Sequence, residues 1–258
     1  MRIVQLNLWF GKMLHELETF LALEAPRTDI FCFQEVSDDE RGMTPQPDTS
    51  YRTDMLAQLH RILPDFTIYF VPSTVGVSFP NRLNFPPPSG SEGCAIAVKR
   101  TIPIQSKGSA AVNRGLFEPS DNLTRPRELV WVTVPFREGV LTVATVHGLA
   151  NTAPKIDNPR RLAQSHRINE VLATLPEPQV LCGDFNLDPD TESRRLLAVG
   201  RQDLVADFAI PGTRTPLFPS EYLQFADYAF CSPSIVVRQY VRLPHIVSDH
   251  YALAIELE

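Results

Sequence analysis

The chain has 258 residues, of which 43% are hydrophobic and 21% charged, and it carries a formal net charge of −6. This is a globular composition that excludes a disordered or collagen-like chain, and no basic stripe stands out of the kind that grips long duplexes through their phosphates. The length suits one large α/β core, so a single domain over residues 1–258 is expected.

The first residues, MRIVQLNLWFGK, lack the long apolar core and small-residue cleavage site of a secretory signal. No apolar run approaches the roughly 18 residues needed to span a bilayer. A soluble, cytoplasmic protein without a membrane span is therefore expected, and no protein partner is evident. Cys32, Cys94, Cys182 and Cys231 are too widely spaced for a zinc ribbon and read as reduced, structural thiols.

The chain alternates apolar strands with amphipathic helices. RIVQLNL and DIFCFQE are expected strands, and KMLHELETFLALEA between them places Leu14, Leu17, Leu21 and Glu24 at helical spacing. SYRTDMLAQLHRIL is a second helix, with Leu56, Leu59 and Leu63 on one face and Pro64 as its stop. Strands follow at FTIYFV, CAIAVK, ELVWVTV and VLTVATVH. Arg137, Glu138 and Gly139 turn the last two into an antiparallel hairpin. Asn158 and Pro159 start a helix that runs through Leu162, Ile168, Leu172 and Leu175. QVLCGDFN is a strand running into a loop, TESRRLLAV a short helix ending at Gly200, and ADYAFCS, IVVRQYV and YALAIEL are the last strands. A two-layered sheet core flanked by helices is the architecture this pattern predicts.

Three stretches rich in proline or glycine, 72–92, 109–126 and 211–224, read as long loops, which in a compact domain are often functional. In or beside them, Arg82, Arg114, Arg125 and Arg127 are candidates to clamp a substrate phosphate, against the alternative of scattered solubilising charge. Phe79, Phe85, Phe117 and Phe218 are candidates to stack on a substrate or to pack the loops down.

The strand ends carry the chemistry. Asn7 closes the first strand, Glu35 the second, His147 a middle one, and Asp184 with Asn186 another. Asp227 opens a late strand, and Asp249 and His250 sit between two others. Brought together, these ends form one cluster of carboxylates, amides and imidazoles. Such a cluster suits Mg²⁺, which takes hard oxygen ligands and leaves positions for water and phosphate. Glu35 is a fitting metal ligand, while Asn7 and Asn186 can hold metal, water or phosphate oxygens without repelling an anion. Asp184 can accept a proton from attacking water or orient it. His250, if paired with Asp227, is fixed in one tautomer and can stabilise phosphate charge, and His147 can do likewise from the opposite side.

Taken in order, LNLW (6–9), FQEV (33–36), TVHG (145–148), GDFN (183–186), ADYAF (226–230) and SDH (248–250) resemble the motifs of the endonuclease/exonuclease/phosphatase (DNase I-like) superfamily. The resemblance implies a four-layered α/β sandwich with two central mixed β-sheets flanked by helices. It also implies a metal site with Glu35 as Mg²⁺ ligand, Asn7 in support, and Asp249 as a carboxylate at or beside the metal. By the same match Asp184 is the general base or water-orienting group, Asn186 and His147 contact phosphate, and His250 with Asp227 is the family's His–Asp pair. Arg161 and Gln164 are similar to an Arg-x-x-Gln element of several branches and read as structural. One departure is Trp9, where some nuclease branches carry an acid, and it argues against a second strongly bound metal.

The expected function is hydrolysis of a phosphodiester with Mg²⁺, or Mn²⁺ as an alternative ion, and with nucleic acid or a nucleotide conjugate as substrate. A lipid or inositol phosphate is the alternative within the same mechanism. A catalytically inactive binding module is the alternative of another class, disfavoured because Glu35, Asp184, Asp227 and His250 are all present.

Overall fold

A computed structural model describes residues 1–39, 51–75, 90–114, 122–150, 155–219 and 224–258. Its strands are β1 (Arg2–Asn7), β2 (Ile30–Asp38), β3 (Phe66–Val75), β4 (Ser91–Lys99), β5 (Ser106–Asn113), β6 (Arg127–Phe136), β7 (Gly139–His147), β8 (Gln179–Asp184), β9 (Gln202–Asp203), β10 (Asp227–Cys231), β11 (Val237–Arg242) and β12 (Leu253–Leu257). The helices are α1 (Leu14–Glu24), α2 (Met55–Ile62), α3 (Pro159–Leu172), α4 (Glu192–Ala198) and α5 (Leu204–Asp207). The strands form two six-stranded mixed sheets, ordered β11-β12-β1-β2-β4-β3 and β5-β6-β7-β8-β10-β9. With helices flanking them, this is the expected α/β sandwich.

Each sheet contains one parallel pair, β1 with β2 and β7 with β8. Parallel neighbours need a crossover, which α1 and α3 supply. The parallel pairs bring the ends of consecutive apolar strands to one edge of each sheet, so Asn7 lies opposite Gln34 and His147 opposite Asp184. β10 runs antiparallel to β8 and starts where β8 stops, which sets Asp227 opposite Asp184.

Burial on both faces explains the unbroken apolar runs. Ile3, Cys32, Ile96, Val143 and Cys182 belong to the core shared by the two sheets. Their sequence neighbours Val4, Phe31 and Ala97 turn the other way, joining Leu17, Phe20, Leu21 and Leu59 beneath α1 and α2. Glu24, read from its spacing as part of the apolar stripe, is fully buried because Arg2 and Arg27 both bond its carboxylate. All four cysteines are free and buried, and burial raises the Cys94 thiol to about 12.

Expectations change in several places. The stretch 72–92 gives Pro72–Val75 to β3 and Ser91 and Glu92 to β4. The stretch 109–126 contains the last half of β5, which SKGSAAVN hides because an edge strand needs no apolar alternation. The two-residue β9 and the four-residue α5 are too short for the sequence pattern to mark. In α3 the buried face carries Arg161, Gln164 and Ser165, while Leu162 and Leu175 are only half-buried. Arg161 donates to the carbonyls of Ile156 and Leu149, and Gln164 Oε1 accepts from Leu149 N–H. These polar groups pin the chain just beyond His147. Asn158 caps the helix, accepting from the N–H groups of Arg160 and Arg161, with Pro159 behind it.

Candidate active site

β1, β7, β8 and β10 converge on Asp184. Asn7 Nδ2 donates to Asp184 Oδ2 at 3.0 Å, and Asn186 N–H donates to Oδ1 at 2.9 Å, so both carboxylate oxygens are oriented. Gly183 makes this approach feasible: its φ is +147°, and a Cβ there would stand 2.3 Å from the Val146 carbonyl oxygen. Asn7 is itself fixed by Trp9 N–H, which donates to Oδ1 at 2.9 Å. Directly after it the chain turns through Trp9 and Phe10, at φ 49° and 51°.

Facing Asp184 is a His–Asp pair. His250 Nδ1 lies 2.8 Å from Asp227 Oδ2 and 3.0 Å from Oδ1. Its Nε2 is left toward Asp184 Oδ2 at 3.5 Å. Burial disfavours charge on both partners, taking Asp227 up to about 7 and His250 down to about 4. Thr213 Oγ1 accepts from Asp227 N–H at 3.1 Å, tying the pair to the loop before β10. His147 Nε2 stands 3.6 Å from Asp184 Oδ2 and 3.9 Å from Glu35 Oε1. Burial first, then the charges of Arg127 and Arg125, hold His147 well below its ordinary value.

Glu35 reaches this cluster through a break in pairing. The β2–β4 register shifts between Phe33 and Val36, and Glu35 adopts φ 56°. Asn186 has a similar left-handed φ of 54°. Such conformations are unfavourable for residues with a Cβ, and they concentrate where side chains must be aimed.

The expected residues do not all face the same way. Asn7, Glu35, His147, Asp184, Asp227 and His250 are linked by the distances above, and buried Asn186 joins them through its N–H. Asp249 turns to Arg214, whose Nη1 is 2.7 Å from Oδ2, while Oδ1 is 3.8 Å from His250 Nε2. Arg125 and Arg127 are buried and pair with Glu92, Arg125 in direct contact and Arg127 at 3.8 Å, so their charge is spent within the fold. Arg114 is exposed at the end of β5, 3.9 Å from Glu128. Phe218 stacks on Arg214 with its ring centroid 4.1 Å from the guanidinium carbon. Arg82, Phe79, Phe85 and Phe117 lie outside the described residues.

Three charged residues at the site were not foreseen. Glu92 lies 3.8 Å from His147 Nδ1 through Oε1. Arg214 reaches Asp249 from the loop before β10. Lys155 is buried, donates to the Phe225 carbonyl at 3.0 Å, and feels the charges of Asp184 and Asp227. Burial, followed by Arg214, lowers its ammonium to about 8. Nothing in the local sequence marks Lys155 except a place shortly after His147.

Asp184, Asp227 and His250 place ligand-type atoms within 4.8 Å of one another. Yet Asp227 and the Nδ1 of His250 are already engaged with each other. The oxygen donors better suited to a hard divalent cation are those of Glu35 and Asn7, with Asp184 beside them, and this set fits a divalent metal.

The chain belongs to the Endonuclease/Exonuclease/phosphatase family, which it matches over residues 4–250. Members of this family are phosphoesterase hydrolases. Among solved structures it is similar to Bt3783 of Bacteroides thetaiotaomicron VPI-5482, described as a mannosyl-6-phosphatase, with 18% identity, TM-score 0.72 and coverage of 100% of this chain and 99% of that one. It is also similar to the human Nocturnin catalytic domain with bound sulfate anion, at 22% identity, TM-score 0.69 and coverage of 100% and 93%. A humanized D. rerio TDP2 carrying 14 mutations aligns at 13% identity, TM-score 0.67 and coverage of 100% and 98%. No curated protein sequence matches the chain at a significant level. Among the described residues no helix is long and apolar enough to cross a membrane.

Proposed function

We propose that the chain is a divalent-metal-dependent phosphodiesterase that cleaves nucleic acid or a nucleotide conjugate by in-line attack of water. The observation that supports this most is the double fixation of Asp184, by Asn7 and the Asn186 N–H, with the open nitrogen of a buried His–Asp pair 3.5 Å away. Glu35 and Asn7 would hold Mg²⁺ or Mn²⁺, which supplies Lewis acidity and a template for the phosphate. Asp184 orients the attacking water and accepts its proton. Asp227 holds His250 in the tautomer whose Nε2 faces the phosphate, where it stabilises charge developing on the non-bridging oxygens. His147 and Asn186 contact the phosphate from the other side. Asp249, neutralised by Arg214, acts as a support for His250.

The test is hydrolysis of a panel with and without Mg²⁺, beside Asp184→Ala. The panel holds single- and double-stranded DNA, RNA, a 5′-tyrosyl oligonucleotide, sphingomyelin, an inositol polyphosphate and mannose 6-phosphate. Metal-dependent turnover of a nucleic acid or nucleotide conjugate, lost in Asp184→Ala, is expected. Turnover restricted to a lipid, inositol or sugar phosphate would replace the substrate class. No turnover of any member would overturn the reading.

A further inference from the structure

A groove of 680 Å³ opens between β5 and the first half of α3. Arg160, Ala163, Gln164 and Arg167 line its helical wall at positions i, i+3, i+4 and i+7, which is one face of a helix. Arg114 lines the opposite wall from the end of β5, and among the described residues no carboxylate contributes to the lining. The exposed arginine pairs, Arg114 with Glu128 at 3.9 Å and Arg167 with Glu170 at 2.9 Å, are of the weak, solvent-screened kind. Gln164 adds an independent sign of a ligand. It is 6% exposed, its Oε1 is used by Leu149 N–H, and its Nε2 has no hydrogen-bond partner. A buried amide donor of this kind is costly unless something accepts from it.

The groove is joined to the candidate active site. Leu149, the partner of Gln164, follows His147 by two residues, and Gly148 N–H donates to the Asp184 carbonyl at 2.6 Å. In the sheet, β5 is three strands from β8. At about 4.8 Å per strand, roughly 14 Å separate the two ends. That exceeds one phosphate ester, and at about 3.4 Å per stacked nucleotide it corresponds to about four nucleotides.

We propose that this groove binds the backbone phosphates of a single-stranded nucleic acid several nucleotides from the scissile bond. The proposal builds on the phosphodiesterase reading and narrows its substrate to a strand rather than a small phosphate ester. Arg160 and Arg167, separated by about two helical turns, or about 10 Å, contact separate phosphates.

The experiment measures binding of 5′-fluorescein-labelled hexathymidylate in EDTA, where turnover plays no part. Wild type is compared with Arg160→Glu/Arg167→Glu and with the milder Arg160→Ala/Arg167→Ala, each checked for an unchanged melting temperature. Both variants are expected to bind more weakly, the glutamate pair most. The dependence of log Kd on log salt should become shallower by about 1.4, at about 0.7 per phosphate contact on a single strand. Equal affinity and equal salt slope in folded variants would overturn the groove assignment, as would no binding by wild type. A strand that binds in the groove but is never cleaved with Mg²⁺ would overturn the phosphodiesterase reading alone.

Discussion

His250 holds Asp227 through Nδ1, 2.8 Å from Oδ2, while its other ring nitrogen stands 3.5 Å from Asp184 Oδ2. One imidazole therefore couples a buried orienting carboxylate to the carboxylate proposed to handle water. Asp227→Asn keeps the shape but removes the charge and replaces one acceptor oxygen with a donor, so the tautomer of His250 is no longer fixed. We expect kcat to fall by about 10²–10⁴-fold with little change in Tm, the range typical for loss of a positioned acid–base group. Single-turnover rates beside a thermal melt check this; near wild-type kcat would remove the pair from the mechanism.

Glu35→Gln should act on metal affinity before it acts on chemistry. The variant retains volume and hydrogen-bonding atoms but loses the anionic oxygen that a hard cation prefers. A Mg²⁺ titration of activity should shift to higher concentration, with much of kcat recovered at saturation. An unmoved titration curve would take Glu35 out of the metal site.

Lys155 gives a pH signature in stability. Its ammonium titrates at about 8 in the folded chain, against 10.5 for the unperturbed group, chiefly because it is buried. Between those values the unfolded chain holds a proton that the folded chain has released, so stability rises with pH. Wild type should gain on Lys155→Met as pH climbs from about 8 to about 10.5, by at most about 3.5 kcal/mol at about 1.4 kcal/mol per pH unit. Below about 8 the difference should be flat. Urea unfolding of both proteins across this range decides it, and a constant difference would show a solvated ammonium.

Glu92 neutralises two buried guanidinium groups, those of Arg125 and Arg127, and faces His147. Removing one member of a buried ion cluster leaves charge without compensation, which costs about 3–5 kcal/mol. Glu92→Ala should be destabilised by that order in denaturant unfolding. Arg114→Ala, on the exposed end of β5, should stay within about 0.5 kcal/mol of wild type. Similar losses in the two variants would contradict the burial argument.

Ala209 is an exposed residue at φ 48°, where a Cβ crowds the following carbonyl. Ala209→Gly relieves about 1–2 kcal/mol of that strain and gives back about 0.4–1 kcal/mol through the freer unfolded chain. A small net gain in Tm is expected. A loss would mean that the Ala209 methyl contributes more to packing than its backbone strain costs.

The sequence alone determined the alternation of strands and helices and the residues at the strand ends. Both are written in local patterns: apolar runs long enough for a strand, Pro159 behind Asn158, and a polar residue where each run stops. The motif order then supplied the family and the mixed-sheet sandwich. Tertiary structure decided which polar ends meet. Asp184 faces Asp227 because β10 is antiparallel to β8 in that register, a relation between segments some forty residues apart. It also decided which charges were already spent. Arg125 and Arg127 turn inward to Glu92, and Asp249 turns to Arg214, because each buried ion takes the nearest opposite charge once water is excluded. β5, Lys155 and the arginine face of α3 were not read, since an edge strand, a lone lysine and an exposed helical stripe acquire meaning only from what lies across from them in space.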